Sequence, residues 1–309
     1  MKRILVILLS LAALSVSAQE TYTQEEFLRR YNNLVSRVGA AGVGVETLLN
    51  RWQEAYPEDV QQMLARFNFC YTRCQTTRLE QKPVDRYLGR EPLLPMTDSL
   101  GNKCNYFEVT DFDEELYAQA NLAIDQAIAA APDHLDYRLV KLDAMMAFEQ
   151  GNPDMTLQQL KALADRHFKQ HPAWVYEGLG EVNEEQFKAF MQDYCVALFR
   201  LGTPGGHEAF KSFSEYLLTY CKDESLYVNN LGSYYLTQKD YKKAQKYFDQ
   251  VLKKDPGDMT ALRNGVLLAR GKKDLKLEKK YLELMARHGE KETDRASAQA
   301  RLNALATKK

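Results

Sequence analysis

The sequence predicts an all-α protein, an α-α superhelix of helical hairpins stacked as a solenoid, with one small irregular or β-hairpin insertion. Three observations predict it. Glycine and proline are scarce, 16 and 9 in 309 residues, whereas all-β sandwiches and barrels need frequent turn residues. Apolar residues recur at helical spacing through most of the chain, in runs broken by short turn signals. Near the C-terminus a helix–turn–helix unit occurs twice, the second copy shifted by 33 residues. A composition of 45% hydrophobic and 27% charged residues is that of an ordinary folded chain.

Residues 1–18 stand apart. Lys2 and Arg3 form a basic start, Ile4–Leu9 and Leu11–Leu14 an apolar stretch, and Ser15-Val16-Ser17-Ala18 a small-residue exit. This is the layout of a secretory signal peptide, with cleavage expected between Ala18 and Gln19. A membrane anchor needs about 20 apolar residues in a row, and this run is shorter. The expected mature chain is exported, to the periplasm or the cell exterior, with no integral membrane segment.

Residues 19–82 read as an N-terminal helical region. Thr23, with Glu26 three positions on, forms a capping box for a helix reaching about Val38. Gly39–Gly44 breaks it. Val45, Leu48, Leu49, Trp52 and Tyr56 make the apolar face of a second helix, stopped at Pro57. Glu58–Cys74 is a third, with Met63, Leu64, Phe67, Phe69, Cys70 and Tyr71 apolar nearly all round, which predicts burial.

Between 83 and 113 the helical period is lost. Pro83, Pro92, Pro95 and the turn Ser99-Leu100-Gly101-Asn102 interrupt it, and Lys103–Val109 alternates. The expectation is an irregular insertion holding a β-hairpin in which Leu93–Thr97 pairs with that alternating run. Long insertions in compact domains are often functional, which makes this one the candidate accessory contact surface.

Residues 114–224 read as degenerate helix pairs. Ala120, Ile124, Ala127 and Pro132 keep the spacing of a pair's second helix. Leu135–Phe148 and Leu157–Phe168 form a pair around Gly151-Asn152-Pro153. Glu184–Leu201 and His207–Cys221 form another, joined by Gly202–Gly206. The clearest unit follows, from Ser225 to Asp258. Val228, Leu231, Tyr235 and Leu236 line one helix. Asp240 caps the next, whose face is Tyr241, Ala244, Tyr247, Phe248 and Val251, and Pro256-Gly257 stops it. Small Gly232 and Ala244 sit where two antiparallel helices approach closely, with large Tyr235 and Phe248 beside them.

This unit resembles the tetratricopeptide repeat, a helix–turn–helix of 34 residues. Leu231, Gly232, Tyr235, Ala244, Phe248 and Pro256 all fall on the repeat's signature positions. Val228 stands where tryptophan is frequent, and Val251 where alanine is preferred. In the second unit Gly265, Leu268, Tyr281 and Leu284 occupy the corresponding places, and Leu277 replaces Ala244. Two repeats therefore span 225–292, and 293–309 is a capping helix with a basic tail. The resemblance implies a non-enzymatic interaction module in which the first helix of each repeat holds an extended peptide or protein segment. The positions carried over for that role are Asn229, Asn230, Ser233, Thr237 and Arg263, with Leu226 beside them. Asn230 stands where many members bond a peptide backbone or a terminal carboxylate.

Charge and motifs narrow the alternatives. Residues 239–309 hold 19 Lys/Arg against 10 Asp/Glu, a basic end in keeping with a solvated helical face. The rest of the expected mature chain is acidic, and no nucleic-acid motif accompanies the basic end. His207-Glu208 lacks the second histidine of a zinc hydrolase, so no metal or other cofactor is expected. No nucleophile elbow or phosphate loop occurs. The five cysteines are an odd number, leaving at least one free or bridging outward. Antiparallel packing of the 184–201 and 207–221 helices makes a Cys195–Cys221 bridge reasonable, and Cys104 is a candidate tether to Cys70 or Cys74. A second reading is a non-enzymatic cell-envelope protein that binds glycans through Trp174 and Tyr176.

Overall fold

The computed structural model describes residues 22–307; the expected signal peptide and its cleavage point lie outside the described residues. The chain forms two compact units. One takes the described residues up to Cys74 together with Glu114–Ala130, and the other takes Gln75–Asp113 with the chain from Ala131 onward.

The first unit has four helices: α1 (Gln24–Val38), α2 (Val45–Ala55), α3 (Val60–Arg73) and α4 (Glu114–Ala130). The capping box opens α1 as expected: the Glu26 amide donates to Thr23 Oγ1 at 3.2 Å, and the Thr23 amide to Glu26 Oε2 at 2.9 Å. Phe27 of α1 stacks on Trp52 of α2 with ring centroids 5.8 Å apart. The indole nitrogen of Trp52 donates to Asp59 Oδ2 at 2.9 Å. Asp59 is also the N-cap of α3, so one carboxylate joins the core ring to a helix start. Helix α4 turns Ala120, Ala123, Ile124 and Ala127 inward, and small residues on that stripe let α3 lie close.

The second unit opens with an antiparallel ribbon of β1 (Gln75–Lys82) and β2 (Asn105–Phe112). This corrects the expected hairpin. The main partner of the alternating run is Gln75–Lys82, and Leu93–Thr97 contributes only isolated bridges, Leu94 to Tyr106 and Thr97 to Lys103. The helical region therefore stops at Arg73, short of residue 82. The cause is that β1 is exposed along most of its length, so no apolar alternation marks it.

A stack of helix pairs follows: α5 (Leu135–Glu149) with α6 (Asp154–Gln170), and α7 (Glu184–Arg200) with α8 (Pro204–Tyr220). A short ribbon of β3 (Val175–Tyr176) and β4 (Gly180–Glu181) lies between those two pairs. Then come α9 (Ser225–Thr237) with α10 (Tyr241–Lys254), α11 (Met259–Gly271) with α12 (Leu275–His288), and α13 (Glu292–Ala306) packed on α12. The last two pairs repeat in detail. Lys239 and Lys273 take left-handed backbone (φ 57° and 56°) in the turns. Asp240 and Asp274 then cap α10 and α12 through their third amides.

Small-against-large packing decides how close the paired helices come. A Cβ placed on Gly232 would lie 2.4 Å from the Phe248 ring, and one on Gly265 would lie 2.8 Å from the Tyr281 ring. Phe248 and Tyr281 are both fully buried. The fourth position of α10 is Ala244, and the fourth position of α12 is Glu278, 2% exposed. Burial alone would raise the Glu278 pKa. Hydrogen bonds from Arg301 and Arg270, at 2.9 and 2.8 Å, outweigh that and keep it below the usual carboxylate range. One buried charge thus joins α11, α12 and α13.

Candidate functional site

The residues carried over as a peptide-binding set do not form one open face. Asn229 and Asn230 are 4% and 6% exposed. Asn229 Nδ2 donates to both carboxylate oxygens of Asp258, at 3.1 and 3.2 Å. Asn230 exchanges two hydrogen bonds with Gln192 of α7, at 2.8 and 3.0 Å, and donates to Ser214 Oγ at 3.2 Å. Ser233 Oγ accepts from Asn264 of α11 at 3.1 Å. These side chains stitch each first helix to the next, which corrects their expected exposure. The bonds of Asn230 and Ser233 in particular pair buried polar groups between helices and so fix the register between repeats. Thr237 is exposed, its hydroxyl donating to the Tyr234 carbonyl at 2.7 Å. Arg263 is exposed and pairs with Asp294 of α13 at 2.8 Å.

The expected Cys195–Cys221 bridge is absent, and both thiols are free. Cys195 lies in the fourth turn of α7, fully buried, with Ser214 Oγ 3.7 Å from its sulfur. Cys221 caps the end of α8, seven residues beyond Ser214. Burial pushes the Cys195 thiol up to about 12. Cys70 and Cys104, the other candidates for a bridge, are also free.

A hollow of mixed polar and apolar lining lies in the second unit where the insertion covers the first helices α5 and α7. It is a cavity of about 330 Å³, within the range of small-ligand and side-chain pockets. Phe112, Met146 and Leu201 form apolar wall, and Arg90, Glu108 and Asp143 bring charge to it. Desolvation in that wall raises the Asp143 carboxyl, and a 2.8 Å hydrogen bond from the Tyr194 hydroxyl opposes it in part.

Three devices hold the roof. Residues 87–90 make a tight turn with reciprocal backbone bonds of 3.0 Å and left-handed backbone at Leu88 and Gly89 (φ 48° and 74°). Gly89 lies so close to the end of α7 that a Cβ there would sit 1.6 Å from the Arg200 carbonyl oxygen. Gln150 clips the strands to α5, accepting from the Tyr87 hydroxyl at 3.3 Å and donating to the Thr110 carbonyl at 3.0 Å. Sequence reasoning singled out the insertion and missed Gly89, Gln150 and Asp143. A Leu-Gly pair does signal a turn, but nothing local points to Arg200.

The aromatics offered as a glycan platform are occupied. Trp174 is fully buried and donates to His167 Nδ1 at 3.1 Å, and Tyr176 stacks on Phe190 with centroids 5.1 Å apart. His167 also stacks on Phe187, centroids 3.6 Å apart. Burial lowers its pKa to about 4, Glu184 opposing and His171 and Lys188 reinforcing. A folded-state pKa below the unfolded value of 6.5 means that the unfolded chain takes up the proton first. The stability contributed by neutral His167 is complete above pH 6.5 and is lost as pH falls toward 4. Urea unfolding should show a loss of about 3 kcal/mol across that window. The attribution fails if His167→Phe loses as much as the wild type.

A stack of antiparallel helix pairs, with a glycine of one helix against an aromatic of its partner, is a helical-hairpin repeat protein. Within that stack, residues 225–258 match the tetratricopeptide repeat family. No curated protein matches the chain. Among solved structures, Pseudomonas aeruginosa pilF, from a functional characterization, aligns with 90% of this chain and 96% of its own. The identity is 11% and the TM-score 0.35. Among the described residues no helix is long and apolar enough to cross a membrane.

Proposed function

We propose that the protein is an exported, non-enzymatic interaction scaffold that holds a peptide or an extended segment of another protein along its first helices. The cavity under the insertion receives a side chain of that segment. The observation that carries this reading is the cavity itself: it is walled by two successive first helices, α5 and α7, and roofed by a loop clamped down through Gly89. Repeats stacked in this way expose one edge of each first helix in series, a surface suited to an extended chain. The signal-peptide layout of residues 1–18 supports export, which places the partner in the cell envelope or outside it.

A photo-crosslinking residue at exposed Ala147, inside the cavity, tests the reading against one at exposed Lys246 on the second helix α10. In envelope extract, position 147 should trap a defined polypeptide and position 246 should not. Equal trapping at both positions, or none at 147, defeats the proposal.

A further inference from the structure

Within the first unit, α1 and α2 flank an open surface hollow of about 410 Å³. Arg30, Asn33 and Arg37 reach it from successive turns of α1, and Arg51 from α2. Its apolar part is Leu34 and Leu48. Among the described residues, no carboxylate lies within salt-bridge distance of any of the three arginines. The acidic side chains of these helices that do find partners find them elsewhere. Glu26 is hydrogen-bonded in the Thr23 cap and feels Arg29 and Arg30 only through space, and Glu46 pairs with Arg73 of α3 at 3.1 Å.

Two of the three arginines, Arg30 and Arg51, are also held in place. Arg30 Cζ lies 3.7 Å from the centroid of the Tyr22 ring, and Arg51 Cζ lies 5.3 Å from it. Tyr22 rests edge-on against Phe27 at 5.3 Å, and Phe27 stacks on the buried Trp52. A row of rings running out from the core thus ends in a platform that orients two guanidiniums by cation–π attraction. Like charges gathered around one hollow repel, and an anion between them removes that cost. Guanidinium forks match phosphate and carboxylate oxygens two at a time, which an ammonium does not.

We infer that this hollow binds an organic anion: a phosphate or carboxylate group held by Arg30, Arg37 and Arg51, with a short apolar or aromatic body against Leu34 and Leu48. The same chemistry is offered by a free organic phosphate or acid and by the headgroup of an anionic lipid. Either would be met after export.

Phenyl phosphate, titrated at low ionic strength, should bind saturably, and phenol should not. Arg37→Gln and Arg51→Gln should each weaken binding by roughly tenfold, and added salt should weaken it further. Arg29→Gln, an exposed α1 arginine outside the hollow, should change little. Circular dichroism of each variant checks that the helices persist. Vesicles of phosphatidylcholine, with or without phosphatidylglycerol, distinguish the source. Co-sedimentation with the anionic vesicles alone, lost in Arg51→Gln, assigns the headgroup. Phenyl phosphate binding without vesicle binding assigns a free ligand. No saturable phenyl phosphate binding, or an equal loss in Arg29→Gln, overturns the inference.

Discussion

Gly232→Ala should destabilise the chain by about 1–3 kcal/mol, the range for forcing atoms into a packed core. The added methyl would lie 2.4–2.9 Å from three carbons of the Phe248 ring, and that ring is fully buried. Phe248→Ala should cost about 3–5 kcal/mol by opening a cavity instead. The two changes oppose each other in volume, so combining Gly232→Ala with Phe248→Leu should recover part of the loss. Chemical denaturation of Gly232→Ala, Phe248→Leu and their combination gives the coupling directly. Strict additivity would mean that the glycine and the ring do not share one packing space.

Gly89→Ala should lower stability by about 2–4 kcal/mol, through left-handed backbone at an alanine and through collision with the α7 terminus. A methyl 1.6 Å from the Arg200 oxygen leaves the turn no docked position. The roof should lift while the helix pairs keep their circular dichroism. Limited proteolysis should then cut within residues 83–103 of the variant at protease levels that spare the wild type. Crosslinking from position 147 should fall with it. Wild-type resistance in Gly89→Ala would show that the turn does not hold the roof.

What could be read from residues alone follows the range of the interactions. The α9–α12 repeats were legible because Gly232, Tyr235, Ala244 and Phe248 record contacts between helices adjacent in sequence. Strand β1 was not, because Gln75–Lys82 is polar and exposed on both faces and continues the character of a helix tail. The asparagines were placed on an open face because they were carried over from the repeat resemblance, which describes one repeat at a time. The partners of Asn230, Gln192 and Ser214, lie 38 and 16 residues away. Trp174 was misjudged for the same reason, since its burial depends on α6 and α7 closing around it. The cavity was illegible because it belongs to no segment. It is the space left when Gly89 brings one loop against the end of a distant helix.

Helices α3 and α4 pack on each other, yet the chain spends residues 75–113 in the other unit between them. On the ribosome, α3 must therefore wait for its neighbour until the whole ribbon has been synthesised, and the closure entropy of that detour weighs against early formation of the α3–α4 contact. The same detour makes the insertion a natural scission point. After a cut near Leu100, the halves remain joined twice over, by α3 on α4 and by the ladder between β1 and β2. Fragments divided there would be complementing halves of one protein.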